Sequence, residues 1–352
     1  MAPGSRLQAC PAALKSERPG SPGPAVRRSR TVTDAEVDAI NNEASVLMKR
    51  GIALMEEPRR EAAIDALHCF DEALALRRRV PPDHSAFQGY LLAACLLNRA
   101  DALVRFNDVG PMAAALASYE EGIEVLRALP LAEDARYPRR LAMAHQNRGL
   151  ALQARALDGD ANAAAAAFAN ALALLDDEHS AGIEDRDYLR GVIWLNLANL
   201  RASEDAPDAH AAARDAAARA LAWVADQEAS QPPAAEAGLR ARHVLCRLSA
   251  HRLSQATGDD MPEDVHEATD AVDDGLALVR SWEQRGGPWF RGLAFDLFRF
   301  GARVYAHYQP QFLEEFIEDN LNPALSSASY VESPEMVLAA QEARQLVPPA
   351  NA

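Results

Sequence analysis

Self-similarity at a period of 49 residues is the feature that most constrains this chain. Aligned on Arg50, Arg99 and Arg148, three segments read Leu47-Met48-Lys49-Arg50-Gly51, Leu96-Leu97-Asn98-Arg99-Ala100 and His145-Gln146-Asn147-Arg148-Gly149. A fourth follows at Trp194-Leu195-Asn196-Leu197-Ala198, and Ser249 and Gly301 extend the series at slightly longer spacing. A second ladder runs beside it: Ala66-Phe70-Ala73, Ala115-Tyr119-Gly122, Ala164-Phe168-Ala171 and Ala213-Ala217-Ala220, with Ala268-Val272-Gly275 as a weaker fifth copy. A fixed period of this length means one supersecondary unit that cannot bury its apolar face alone and stacks on its neighbours.

Each unit reads as two helices. In the first copy Ala63, Leu67, Phe70 and Leu74 recur at steps of three and four, on one helical face. The small residues at Gly51, Ala100, Gly149 and Ala198 mark close approach of paired helices, where a larger side chain forces the axes apart. Phe70, Tyr119 and Phe168 are expected to fill the space between neighbouring units. Pro58, Pro111, Pro207 and Pro262 stand near the expected starts of second helices, where a missing N–H costs little. Gly110-Pro111 and Asp158-Gly159 read as turns within a pair. Abundant alanine and an aromatic content of 6% suit closely packed helices and fit strands poorly.

These motifs resemble the tetratricopeptide repeat family, whose pattern is an aromatic, a small residue four later, then Ala-x3-Phe-x2-Ala in the second helix. Trp194 with Ala198 matches the first part; Ala66-Phe70-Ala73 and Ala164-Phe168-Ala171 match the second. The period of 49 exceeds the family's usual length, and arginine stands at Arg50, Arg99 and Arg148 where leucine is usual. Both departures are similar to the longer repeats of kinesin light chains and peptide-sensing bacterial regulators. The resemblance implies an all-α, right-handed solenoid of about five helix pairs over residues 33–285, closed by a C-terminal helical cap over residues 286–347.

Residues 1–32 stand apart. Prolines scattered among Gly and Ser, with six basic residues against Glu17, predict a disordered basic tail. Helix is expected from Thr33, because Thr33-x-x-Glu36 reads as a capping box. At the other end, aromatics crowd between Trp282 and Phe316, Trp289 and Phe312 among them. They are read as the bulk that closes the last unit's core, with a dimer or partner surface as the alternative.

Composition narrows function. A net charge of −15 argues against nucleic acid, which needs a clustered basic face. No apolar run reaches the ~18 residues of a membrane helix, and no secretory signal is evident, so a cytoplasmic location is expected. Cys10, Cys69, Cys95 and Cys246 form no CxxC motif and read as buried apolar residues in a reducing compartment. Arginine-rich, lysine-poor, alanine-rich usage resembles the bias of high-GC bacterial genes. Catalytic signatures such as HExxH and GxSxG are absent, so no enzyme, cofactor or metal is expected. His243-x-x-Cys246, with His251 nearby, lacks further ligands.

The asparagine ladder is the functional lead. Asn98, Asn147 and Asn196 occupy equivalent positions on first helices, and each amide carries donor and acceptor. The resemblance implies that first helices line a concave groove in which such amides bond the backbone of an extended peptide. The alternative is that each bonds a neighbouring helix. Arg50, Arg99 and Arg148, beside the ladder, either pair with carboxylates of a ligand or with the array's own acids. Met48 and Ile52 stand where a co-chaperone's carboxylate clamp would place lysine and asparagine. An acidic run from Asp259 to Asp274 is either a solvated helix face or a surface for a basic partner. The expected function is a protein-interaction scaffold that binds a protein or peptide in the groove. A peptide-sensing regulator that changes conformation is the alternative, and a helical-toroid enzyme the third.

Overall fold

Thr33 opens the first helix as its sequence predicts. Its Oγ1 accepts from the Glu36 backbone N–H at 3.3 Å, and the Glu36 carboxylate accepts from the Thr33 N–H at 2.9 Å, completing a capping box. The computed structural model describes residues 32–81, 83–106, 108–204, 206–255, 261–285, 290–326 and 334–347. The basic tail before Val32, with Cys10, lies outside the described residues, as do Asp259, Asp260, Trp289 and the side chain of His251.

Among the described residues there is no strand, and thirteen α-helices follow one another in adjacent pairs. The first pair is α1 (Asp34–Met55) and α2 (Arg60–Arg77), the second α3 (Ala86–Val104) and α4 (Val109–Arg127), the third α5 (Arg136–Arg155) and α6 (Asp160–Asp176). The fourth is α7 (Arg186–Ala202) and α8 (Pro207–Glu228), the fifth α9 (Pro232–Gln255) and α10 (Glu263–Gln284). The C-terminal helices are α11 (Arg291–Tyr308), α12 (Leu313–Ser326) and α13 (Pro334–Leu346). Pro207 is the first residue of α8 and Pro262 caps α10, as their missing N–H allows. Gly159 turns the chain into α6 with φ +83, a conformation that favours glycine. Gly110-Pro111 departs from expectation: it lies inside the first turn of α4 rather than in a turn before it. The first four N–H groups of a helix have no intrahelical acceptor, so Pro111 removes nothing there.

The period is a packing period. Phe70, Tyr119 and Phe168 are all buried, at 0%, 2% and 0% exposure. Each sits opposite the small residue nineteen positions earlier in its own unit. A Cβ added to Gly51 would lie 2.5 Å from Phe70 Cε1, and one added to Gly149 would lie 2.6 Å from Phe168 Cε1. The aromatic therefore occupies the volume that glycine leaves empty. In the fourth unit both partners are alanine, Ala198 and Ala217, and both are fully buried.

Successive first helices touch one another: α1 meets α3, α3 meets α5, α5 meets α7, α7 meets α9 and α9 meets α11. Second helices make no comparable contact with each other among the described residues. First helices therefore form the inner layer of the stack. The C-terminal aromatics are core. Phe290, Phe295, Phe298, Phe300 and Phe316 are buried, with Phe298 stacked on Phe316 at 5.5 Å, while Phe312 is exposed. Trp282 Nε1 donates to the Glu228 carbonyl at 2.9 Å, tying α10 to the end of α8. No helix among the described residues is long and apolar enough to cross a membrane.

Candidate functional site

The inner layer carries the six residues singled out by the repeat, and the structure gives them different fates. Arg99 Nε donates to Asp71 at 2.6 Å and its Nη1 to Ser118 Oγ at 2.7 Å. Arg148 donates to Glu120 at 3.0 Å. Asp71 and Glu120 each follow the buried aromatic of the preceding unit, so these arginines tie one unit to the one before it. The next rung drops both partners together: Leu197 stands for the arginine and Ala169 for the acid. Arg50, with no unit described before it, is exposed.

The asparagines diverge further. Asn98 donates to the Ala94 carbonyl of its own helix at 2.8 Å. Asn147 reaches back one unit and donates to Asp101 Oδ1 at 3.1 Å, an oxygen that also accepts from Tyr119 Oη at 2.5 Å. Burial pushes the Asp101 carboxyl above the usual carboxylate range, against the lowering pull of those two hydrogen bonds. Burial and the adjacent carboxylate push the Tyr119 phenol up. Asn196 Nδ2 is buried and has no hydrogen-bond partner. The repeat explains the difference. The residue facing Asn147 is Asp101; the residues equivalent to Asp101 are Ile52, one unit earlier, and Leu150, one unit later. Neither side chain can accept a hydrogen bond, so the pairing that engages Asn147 does not recur at the equivalent positions.

Asn196 lines the wall of an open cavity of about 770 Å³. Its walls come from three inner helices: Tyr188, Val192, Leu195 and Asn196 of α7; Pro232, Pro233, Glu236, Ala237 and Arg240 of α9; and Phe290, Gly292 and Leu293 at the start of α11. The lining is mainly apolar, with a few polar groups, as in sites that hold organic or peptide ligands. Glu236 and Arg240, one turn apart on α9, pair at 2.7 Å. Burial pushes the Tyr188 phenol up, aided by Glu236 and Asp185. One turn further along α9, His243 stands 3.7 Å from Asp296, and burial lowers its pKa.

Cys246 is 3% exposed and burial pushes its thiol up to about 12, which keeps it protonated and a poor metal ligand. Among the described residues no three His, Cys, Asp or Glu side chains converge on a metal position. In the acidic run, Asp264 is buried against Arg214 at 3.0 Å, and Glu267 pairs with the same guanidinium at 2.9 Å. Sequence reasoning missed Asp101, Tyr188, Glu236, Arg240 and Leu293. Asp101 was visible as the one acid in a register otherwise read Ile52, Leu150 and Asn199. The cavity residues had no signal, because they come from three helices whose approach no periodicity specifies. No protein-family model matches this chain, and no curated protein does either.

Proposed function

We propose that the protein is a non-catalytic, tetratricopeptide-like interaction scaffold: a right-handed solenoid of five helix pairs with α11–α13 as its cap, binding a peptide or partner protein along the first helices. The observation that carries this reading is the open cavity of about 770 Å³ between α7, α9 and α11, whose lining combines apolar side chains with the polar groups of Tyr188, Asn196, Glu236 and Arg240. The binding end is the C-terminal half. In the second and third units Arg99, Arg148 and Asn147 are engaged by the array's own acids, and at the next rung Leu197 and Ala169 stand in place of the arginine and its acid.

Site-specific photo-crosslinking in the native host tests this. A crosslinking residue at Leu150 or Leu293, on the inner layer, is expected to capture a protein partner, and one at Ala218, exposed on α8, is expected not to. Equal capture from both faces, or capture from α8 alone, refutes the groove reading. A regulatory role draws on one observation: α11 supplies one wall, so an occupant touches both the repeats and the C-terminal helices. Spin labels at Ala218 and Glu315 would then change separation when the captured partner binds, whereas a static scaffold leaves the separation unchanged.

A further inference from the structure

The outer side of α1 is the face that later units bury. Ala39, Glu43, Val46, Arg50 and Ala53 follow one another at steps of three and four along one ridge, and all are exposed, Val46 to 67%. One unit later the same register reads Gln88, Leu92, Cys95, Arg99 and Ala102. There Gln88, Leu92, Cys95 and Ala102 are at most 6% exposed, and Arg99 pairs with Asp71 of the preceding second helix. No unit is described before α1, so its stacking face is open. We propose that this face docks on the same face of a second copy of the chain, with the two α1 helices antiparallel about a two-fold axis at Val46. This goes beyond the groove reading and gives a scaffold with one α7–α9–α11 cavity per copy.

Charge selects that occupant. The first half of the face carries Asp38 and Glu43 and the second half Lys49 and Arg50; none of the four has an ion-pair partner among the described residues. In an antiparallel pair, residues equally far before and after Val46 meet. Glu43 then comes to Lys49 and Arg50 of the second copy, Ala39 to Ala53 and Val46 to Val46. Each contact occurs twice, which is the self-complementarity a two-fold interface requires. A parallel pair would set acid on acid and base on base. Arg50 receives from the second copy the carboxylate that Arg99 and Arg148 receive from the unit before them. The chain preceding α1 is a poorer match, since its six basic residues against Glu17 complement only the acidic half. A face that served only to end the array would be polar throughout, and Val46 at its centre is not. With 22 residues, α1 is about 33 Å long, so one helix laid on another buries less than the roughly 1,200–2,000 Å² of a standard interface. The dimer is therefore weak, with dissociation in the micromolar range.

Sedimentation equilibrium of the full-length protein across the micromolar range tests this and is expected to show monomer and dimer in exchange. Glu43→Arg, and separately the pair Lys49→Glu with Arg50→Glu, are each expected to weaken the dimer about tenfold or more, because each sets like charges together at both ends of the contact. Mixing the two variants is expected to restore dimer of wild-type strength, since every facing pair is again opposite in sign. Val46→Glu is expected to abolish it. All these side chains are exposed, and far-UV circular dichroism confirms that each variant is folded. A photo-crosslinking residue at Val46 in the purified protein is expected to capture α1 of a second copy, identified by mass spectrometry. Crosslinks to residues 1–31 instead, a monomer at every concentration, or a dimer that Val46→Glu and the charge reversals leave intact would each overturn the proposal, and each leaves the groove reading standing.

Discussion

Replacing Gly149 with alanine should destabilise the third unit in the native sequence and stabilise it once Phe168 is also alanine. The added Cβ would lie 2.6 Å from Phe168 Cε1, 2.9 Å from Cδ1 and 3.0 Å from Cζ, and the ring is fully buried, with no room to withdraw. Overpacking of this kind costs about 1–3 kcal/mol. Alanine returns up to about 1 kcal/mol through its higher helix propensity, so a net loss of up to about 2 kcal/mol is expected. Phe168→Ala alone should cost about 3–5 kcal/mol, because it empties a fully enclosed site. In that background the clash is gone, the new methyl fills part of the void, and propensity alone makes Gly149→Ala stabilising by about 1 kcal/mol. The fourth unit already holds this combination, as Ala198 and Ala217, and packs both without exposure. Local stability is best read from native-state hydrogen exchange of amides in α5 and α6, since units of an array open individually. If the effects of the two substitutions simply add, with Gly149→Ala destabilising in both backgrounds, the close approach does not set the pairing of glycine with aromatic.

Buried and exposed ion pairs should separate clearly. Arg242 and Glu228, whose side chains are 12% and 9% exposed, form two hydrogen bonds at 2.7 and 3.1 Å, so Arg242→Ala should cost about 3–5 kcal/mol in denaturant melts. The Arg148–Glu120 pair, with Glu120 59% exposed, should show a double-mutant coupling below about 1 kcal/mol that shrinks with added salt. A coupling as large as the cost of losing Arg242 would mean that the inter-unit arginines are major supports. Burial, with Arg127 and Arg148 nearby, lowers the His145 pKa from 6.5 to about 4. The unfolded chain then binds more protons between those values, so stability contributed by neutral His145 is present above about pH 6.5 and declines as pH falls toward 4. His145→Gln should flatten that part of the stability profile, and an unchanged slope would place the proton uptake on another group.

The helical repeat was legible because its determinants are local or strictly periodic. Thr33 and Glu36 form their capping box within one turn. Gly51 with Phe70, and Gly149 with Phe168, are set by the short connection inside a pair, so their spacing recurs wherever the unit does. The ion pairs between units were half legible. Arg99 and Asp71, then Arg148 and Glu120, recur together and vanish together at Leu197 and Ala169, which is a sequence signal, but only the stacking shows that they meet. The asparagine ladder was the least legible part of the inner layer. Asn98, Asn147 and Asn196 are equivalent by sequence, and that equivalence predicts one shared role. Tertiary contact gives them three fates: Asn98 bonds its own helix, Asn147 reaches Asp101 of the preceding unit, and Asn196 Nδ2 is buried without a partner. The cavity lies furthest from sequence reasoning, since its walls require α11 to approach α7 and α9 from outside the regular period. Periodicity thus determined which residues pack within a unit. The approach of separate units decided which of the three amides finds a partner beyond its own helix, because hydrogen bonds depend on positions in space that a repeat fixes only within itself.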